Sequence, residues 1–202
     1  MSAIVNHPQV NTIRLQLKQN LILREMPASA WNDLEPLLEV SEYRKGEPLV
    51  RQGSTSMEQF FILDGILKRV VSNPQGKEMI LRFAAETDMD TSYAAWRMKT
   101  PIPYSIAAVT KVRVARLSMP HWVEFLERHI DMKLRFEYEV MRLMSEVMAH
   151  TITLHLLDAP GRVHRFMRKQ PELVDRIPQK ELASYLNLSA ETLSRLRHRG
   201  KI

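Results

Sequence analysis

Apolar positions in the first forty residues recur at helical intervals. Ile13, Leu17 and Leu21 stand at i, i+4 and i+8, and Pro27 opens a shorter second helix carrying Trp31, Leu34 and Leu38. From about Val40 the texture changes to short apolar runs, among them QFFILDG, LKRVVS, EMILRF, SIAAV and VRVARL. Gly46, Gly53, Gly65, Asn73-Pro74-Gln75-Gly76 and the Pro101/Pro103 pair cut these runs apart. Strands and breakers at such intervals predict a β-roll over about 39–118.

After Pro120 the helical period returns, first around Trp122, Phe125 and Leu126, then in one stretch from about Asp131 to Leu157. Within it Phe136, Val140, Leu143, Val147, His150, Leu154 and Leu157 alternate 4-3-4-3-4-3, the a/d spacing of a coiled-coil seam. This spacing predicts that two such helices pair along Phe136, Val140, Leu143, Val147, His150 and Leu154. A second stripe, Met141, Met144, Met148 and Ile152, is expected to pack on the roll. Asp158-Ala159-Pro160-Gly161 breaks the helix and marks a boundary.

The segment from Ile177 reads IPQKELASYLNLSAETLSRLRHRGKI. Gln179 to Leu186 makes a short helix with Leu182, Ala183 and Leu186 inward, Asn187 suits a left-handed turn, and Ser189 is an N-cap for a second helix from Ala190 to about Arg199. The two form a helix-turn-helix, closed by Leu188, Leu193 and Leu196. Its outward face carries Glu191, Thr192, Ser194, Arg195, Arg197 and Arg199. Arg195 can donate a fork of hydrogen bonds to guanine, Glu191 can accept from cytosine, and Ser194 permits close approach. Gln179, Ser189 and Thr192 flank that face, and Arg197, His198, Arg199 and Lys201 are placed to hold phosphates. Glu191 has no use in a purely electrostatic binder of a polyanion, so its presence points to base reading.

Charge supports the same end of the chain. From Ala159 onward ten Lys and Arg stand against four Asp and Glu, so the whole formal net charge of +6 sits there, and the preceding 158 residues balance. That asymmetry suits double-stranded DNA. With 45% hydrophobic and 26% charged residues in 202, the composition fits a globular chain of two domains. No run reaches the roughly 18 apolar residues of a membrane span, and the N-terminus lacks a signal-peptide layout, so a cytoplasmic protein is expected. The absence of cysteine excludes disulfides, thiolate metal sites and thiol redox switching. No histidine lies between His7 and His121, which argues against a metal-dependent enzyme built on the roll and leaves no metal site to assign.

The order of elements, the text RKGEPLVRQG…QFFILDGILKRV…NPQGKEMILRF, the long helix and the ETLSR of the last helix together resemble the CRP/FNR family of bacterial transcription regulators, over about residues 20–200. The resemblance implies an α+β chain: a jelly-roll, cyclic-nucleotide-binding-like sensor over 1–130, a dimerisation helix over 131–158 and a DNA-binding helix-turn-helix over 159–202. It also implies a homodimer on a palindromic operator with a TTGA-like half-site, Glu191 and Arg195 reading base edges, Ser194 as in the FNR-like branch, and contact with RNA polymerase. Family members usually continue into a β-hairpin wing, whereas this sequence stops at Gly200-Lys201-Ile202, so little or no wing is expected.

The sensor departs from the family's pattern. Aligning on VRVARL places Ser92, Ile102 and Pro103 where cyclic-AMP-binding members have a glutamate and an arginine–serine pair, so cyclic AMP is not the expected effector. Asp88, Asp90, Ser92, Tyr93, Trp96, Tyr104 and Ser105 either line a pocket for an uncharged or differently shaped ligand or, the favoured reading, fill the roll. A haem group held through His150 or His155 is an alternative, the plain reading of His150 being a contact with its twin across the dimer axis. The twelve methionines read as flexible packing. The competing functional class is a regulator whose last helices dock a protein.

Overall fold

The computed structural model describes residues 2–198. A short strand β1 (Ser2–Ala3) leads into helices α1 (Val10–Gln19) and α2 (Ala28–Leu34), which seat Ile13, Leu17, Ala30 and Leu34 against the roll. The roll follows as β2 (Glu39–Tyr43), β3 (Pro48–Val50), β4 (Glu58–Asp64), β5 (Leu67–Ser72), β6 (Glu78–Ala84), β7 (Met89–Thr91), a helix α3 (Tyr93–Met98), β8 (Ser105–Ala108) and β9 (Val112–Ser118). Then come α4 (Met119–Arg128), the 27-residue α5 (Ile130–Leu156), α6 (Ala159–Lys169), α7 (Gln179–Tyr185) and α8 (Ala190–His198). The arrangement is the α+β architecture expected from the sequence. None of the described helices is long and apolar enough to cross a membrane.

Two antiparallel sheets face each other, one in the order β1-β2-β9-β4-β7 and the other β3-β8-β5-β6. Strand β4 is buried along FFIL on both faces, because the opposing sheet covers one side and helices α1 and α4 cover the other. Gly65 turns β4 into β5 at φ +91°, and a Cβ there would lie 2.2 Å from the Lys111 carbonyl, so no other residue fits without displacing the β8–β9 turn. Beyond the roll, Trp122 and Phe125 of α4 stack at 5.3 Å, and Phe136 of α5 meets Trp122 edge-on at 5.2 Å, which ties the base of the long helix to the roll.

That contact corrects the expected use of α5. Phe136 and Leu143 are buried within the chain itself, Val140 packs against the same core, and Val147 and Leu154 are half-covered. His150 does not await a twin: its ring lies flat on Tyr185 of α7, centroids 3.8 Å apart, and its Nε2 donates to the Tyr185 carbonyl at 3.1 Å. The methionine stripe assigned to the roll is the exposed face instead. Met141, Met144, Met148 and Ile152 are 48–65% exposed, and Leu134, Tyr138 and Leu156 extend the stripe in both directions. Both stripes have helical spacing, so periodicity alone does not say which one the chain covers with itself.

The helix break falls at Leu157–Asp158. The Asp158 carboxylate accepts from the Gly161 N–H at 2.9 Å and caps α6. The C-terminal helices do not stand apart from the roll. Leu182, Ala183, Leu186 and Leu193 share one apolar cluster with Ile66, Val70, Ile80 and Phe83 of the β5–β6 sheet region. Two ion pairs rim that contact, Lys68–Glu181 at 2.8 Å and Arg176–Glu86 at 2.6 Å.

Candidate nucleic-acid interface and sensor interior

Helices α7 and α8 have the helix-turn-helix geometry that the sequence predicts. Asn187 takes φ +52° at the turn, and the Leu188 N–H reaches back to the Ala183 carbonyl at 2.9 Å. Ser189 Oγ accepts from the Thr192 N–H at 3.0 Å, which caps α8. Its hydroxyl also donates to Thr192 Oγ1 at 2.9 Å, so these two residues brace the first turn rather than project freely. Leu193 is fully buried, and its burial turns the opposite face of α8 outward.

On that face Glu191 and Arg195 stand one turn apart, with side chains 80% and 59% exposed and 3.9 Å between carboxylate and guanidinium. Arg195 also reaches Thr192 Oγ1 at 3.4 Å. A carboxylate that steadies a guanidinium without neutralising it by burial leaves both groups available to a partner. Ser194 lies half-buried beside them, and Gln179 at the start of α7 donates to the Ala190 carbonyl at 3.4 Å, linking the two helices. Arg199, Lys201 and the side chains of Arg197 and His198, expected at phosphates, lie outside the described residues.

The interior of the roll holds chemistry that the sequence reading missed. Arg69 of β5 and Arg82 of β6 are directly opposite in the ladder, a pairing of like charges that is unfavourable on its own. Asp90 of β7, in the other sheet, resolves it. Its Oδ1 accepts from Arg69 Nε at 2.9 Å and Nη2 at 2.6 Å, while Arg82 Nη1 stands 3.6 Å from Oδ2. Arg82 is further held by Asp88 and by the Met89 carbonyl. Burial disfavours the Arg69 charge, but Asp90 outweighs it and the guanidinium's pKa stays raised.

Of the residues considered for an effector pocket, Tyr93, Tyr104 and Ser105 are hydrogen-bonded within the chain. The Tyr104 ring lies 4.3 Å from the Arg69 guanidinium, and its hydroxyl donates to the Thr91 carbonyl at 2.8 Å; burial pushes its pKa up to about 12. The Tyr93 hydroxyl donates to Glu137 at 2.8 Å, and Ser105 Oγ accepts from the Gln52 N–H at 2.9 Å. Ser92 is fully buried, its hydroxyl without a partner among the described residues. The polar atoms of Tyr93, Tyr104 and Ser105 are thus held by the chain itself. The guanidinium expected to be missing at the aligned cassette positions is present from neighbouring strands, already matched by an aspartate of the chain's own. The only trace in the sequence is Arg69 and Arg82 inside the apolar runs LKRVVS and EMILRF, with Asp88 and Asp90 soon after.

Comparison with known proteins agrees with this architecture. The family profile described as the cyclic nucleotide-binding domain matches residues 40–129. The cAMP-activated global transcriptional regulator CRP of Salmonella typhimurium is 21% identical over 167 residues, covering 78% of this chain and 80% of that protein. The nitrogen fixation regulation protein FixK of Bradyrhizobium diazoefficiens is 20% identical over 190 residues, 89% of this chain and 78% of its own length. Among solved structures, the c-di-GMP responsive global regulator CLP of Xanthomonas campestris superposes with a TM-score of 0.70 at 12% identity, over 86% of this chain and 92% of that one. These relatives are transcription regulators and not enzymes.

Proposed function

We propose that the chain, which is similar to CRP and FixK, is a regulator of the CRP/FNR type: a sequence-specific DNA-binding protein that works as a homodimer on an inverted-repeat operator. The observation that carries this reading is the Glu191–Arg195 pair, exposed on α8 while Leu193 on the opposite face is locked in the core. In the major groove Arg195 donates bidentately to guanine O6 and N7, Glu191 accepts from cytosine N4, and Ser194 lets the helix approach. Ser189, Thr192 and Gln179 lie at the end of the motif that meets the backbone, and Arg197 and Arg199 add phosphate contacts. In this division residues 1–130 sense, 131–158 pair and 159–202 read DNA, in the cytoplasm and in contact with RNA polymerase.

Pairing uses the exposed stripe of α5. Leu134, Tyr138, Met141, Met148 and Ile152 keep a 4-3-7-4 spacing along one face, with Ser145 at the skipped seam position, and lie open to solvent over five turns. An apolar strip of that length on a single chain is what a second copy covers. The two recognition helices would then meet successive major grooves about 34–36 Å apart.

The roll does not take cyclic AMP in this reading. Ser92, the buried Ile102 and the exposed Pro103 supply no phosphate fork, and Asp90 occupies the interior guanidiniums. A cyclic phosphate would have to displace a carboxylate that already satisfies Arg69, at a cost of several kcal/mol. Selection from a pool of randomised duplexes tests the proposal. An enriched inverted repeat supports it, and a pool that stays random over successive rounds refutes it.

A further inference from the structure

Where the roll, the long helix and the C-terminal helices meet, they line a partly open cavity of about 160 Å³. Leu81 of β6, Ala149 of α5, Phe166 of α6 and Leu186 of α7 give it an apolar wall, and the stacked His150 and Tyr185 rings close one side. The rest of the wall is polar, with Glu146, Thr153 and Gln170 beside Arg82 and three basic residues of α6. Arg162, Arg165 and Lys169 follow at i, i+3 and i+7 on α6 and so share a face.

The charges around the cavity do not balance. Arg82 is spent on Asp88 and Asp90, and Glu146, the carboxylate in the wall, is paired with Arg142. Arg162 donates to the main-chain carbonyls of Leu157, Leu186 and Asn187 at 2.9–3.3 Å, which fixes α6 to the turn of the helix-turn-helix but leaves its charge uncompensated. Arg165 and Lys169 have no carboxylate within ion-pair distance among the described residues. Burial, with Arg165 nearby, holds the His150 imidazole neutral, so it neither adds a positive charge nor removes one.

Size narrows what such a site accepts. A protein cavity of about 150 Å³ takes one benzene-sized ring, and typical pockets for larger ligands start near 300 Å³. A nucleotide is too large, and a bare inorganic ion would leave the apolar wall unsatisfied. We propose that the junction cavity is a binding site for a small organic anion, a single-ring carboxylate, with Arg165 and Lys169 as its counter-ions and the Leu81–Phe166 side holding its ring.

Such a ligand would touch β6 and α5 on one side and α6 and α7 on the other. Its occupancy would therefore bias the position of the helix-turn-helix relative to the long helix, by as much as its affinity differs between the two positions. This regulatory consequence rests on the DNA-binding reading; the binding site does not. The experiment is accordingly done without DNA. Benzoate, salicylate and phenylacetate are titrated calorimetrically into the full chain, with benzyl alcohol and inorganic phosphate as neutral and ring-free probes.

At least one of the three carboxylates should saturate one site per chain and bind at least tenfold more tightly than benzyl alcohol or phosphate. Arg165→Gln should weaken it at least tenfold, and Ala149→Leu, which fills the cavity and keeps every charge, should abolish it. Arg165 is half-exposed, so its replacement leaves the fold intact, and coincident unfolding curves confirm that for both variants. The proposal is overturned if none of the three carboxylates saturates, if phosphate binds as tightly as they do, or if Ala149→Leu leaves their binding unchanged, the mark of a surface basic patch.

Discussion

The Arg69 guanidinium of one sheet meets the Asp90 carboxylate of the other at 2.6 Å, and neither side chain is more than 3% exposed. The pair bridges the two layers of the roll at the place where the resemblance leads one to expect an effector. It also separates Arg69 from Arg82, which the ladder sets face to face. The two buried guanidiniums of the roll are thus matched by Asp88 and Asp90 of the chain itself.

Removing one partner of this pair should be costly. Asp90→Ala leaves two buried guanidiniums with one carboxylate, Asp88, between them, and is expected to lower the unfolding free energy by about 3–5 kcal/mol. The double change Arg69→Met with Asp90→Leu should recover most of that loss, since Asp88 still holds Arg82. Urea denaturation of the three proteins makes the comparison; a loss below about 1 kcal/mol for Asp90→Ala would mean that the pair is solvated.

The two faces of α5 should respond differently to the same substitution. Met141→Lys with Met148→Lys places charges on the exposed stripe and is expected to halve the sedimenting mass while leaving the unfolding transition in place. Phe136→Lys buries a charge against Trp122 and Tyr93 and should unfold the chain instead. Sedimentation velocity and circular dichroism on both variants separate the outcomes.

Protonation of His150 gives a pH signature. Burial, with Arg165 nearby, holds its pKa down to about 4, against a carbonyl contact with Tyr185 that acts the other way. An unfolded histidine takes its proton near 6.5, so between about 6.5 and 4 the unfolded chain binds a proton that the folded chain refuses. Its contribution is whole above pH 6.5 and is lost as the pH falls toward 4. His150→Phe keeps a ring on Tyr185 and removes the titration, so from pH 7.5 to 5 its urea midpoint should fall less than that of the parent protein.

Gly65→Ala should be among the more damaging single-methyl changes in the roll. The backbone sits at φ +91°, which costs an L-residue about 1–3 kcal/mol, and the added Cβ meets the Lys111 carbonyl at 2.2 Å. Thermal unfolding checks it, and an unchanged midpoint would mean that the β8–β9 turn gives way freely.

Much of this molecule could be read before its fold was seen, for reasons that differ by element. The helix-turn-helix was legible because Asn187, Ser189 and Leu193 each act locally, through a turn, a cap and one buried contact. The roll was legible because Gly65 and the Asn73–Gly76 turn punctuate apolar runs. The face of α5 was misassigned because Phe136 and Met141 both belong to helical stripes, and only tertiary packing against Trp122 and Tyr185 decides between them. The Arg69–Asp90 bridge was missed because its members lie 21 residues apart and in different sheets, beyond what a local pattern records. The shared core of the C-terminal helices with β5 and β6 was invisible for the same reason.

The most direct test of the central claim is the affinity of the full chain for its selected inverted repeat before and after Arg195→Ala, measured by fluorescence anisotropy at fixed salt. The side chain is largely exposed, so the variant should fold as the parent does. The account predicts a loss of about 1–3 kcal/mol per half-site on the selected duplex, confined to one base-pair position in each, with binding to random duplex nearly unchanged. Equal affinity of both proteins for the selected duplex would contradict it.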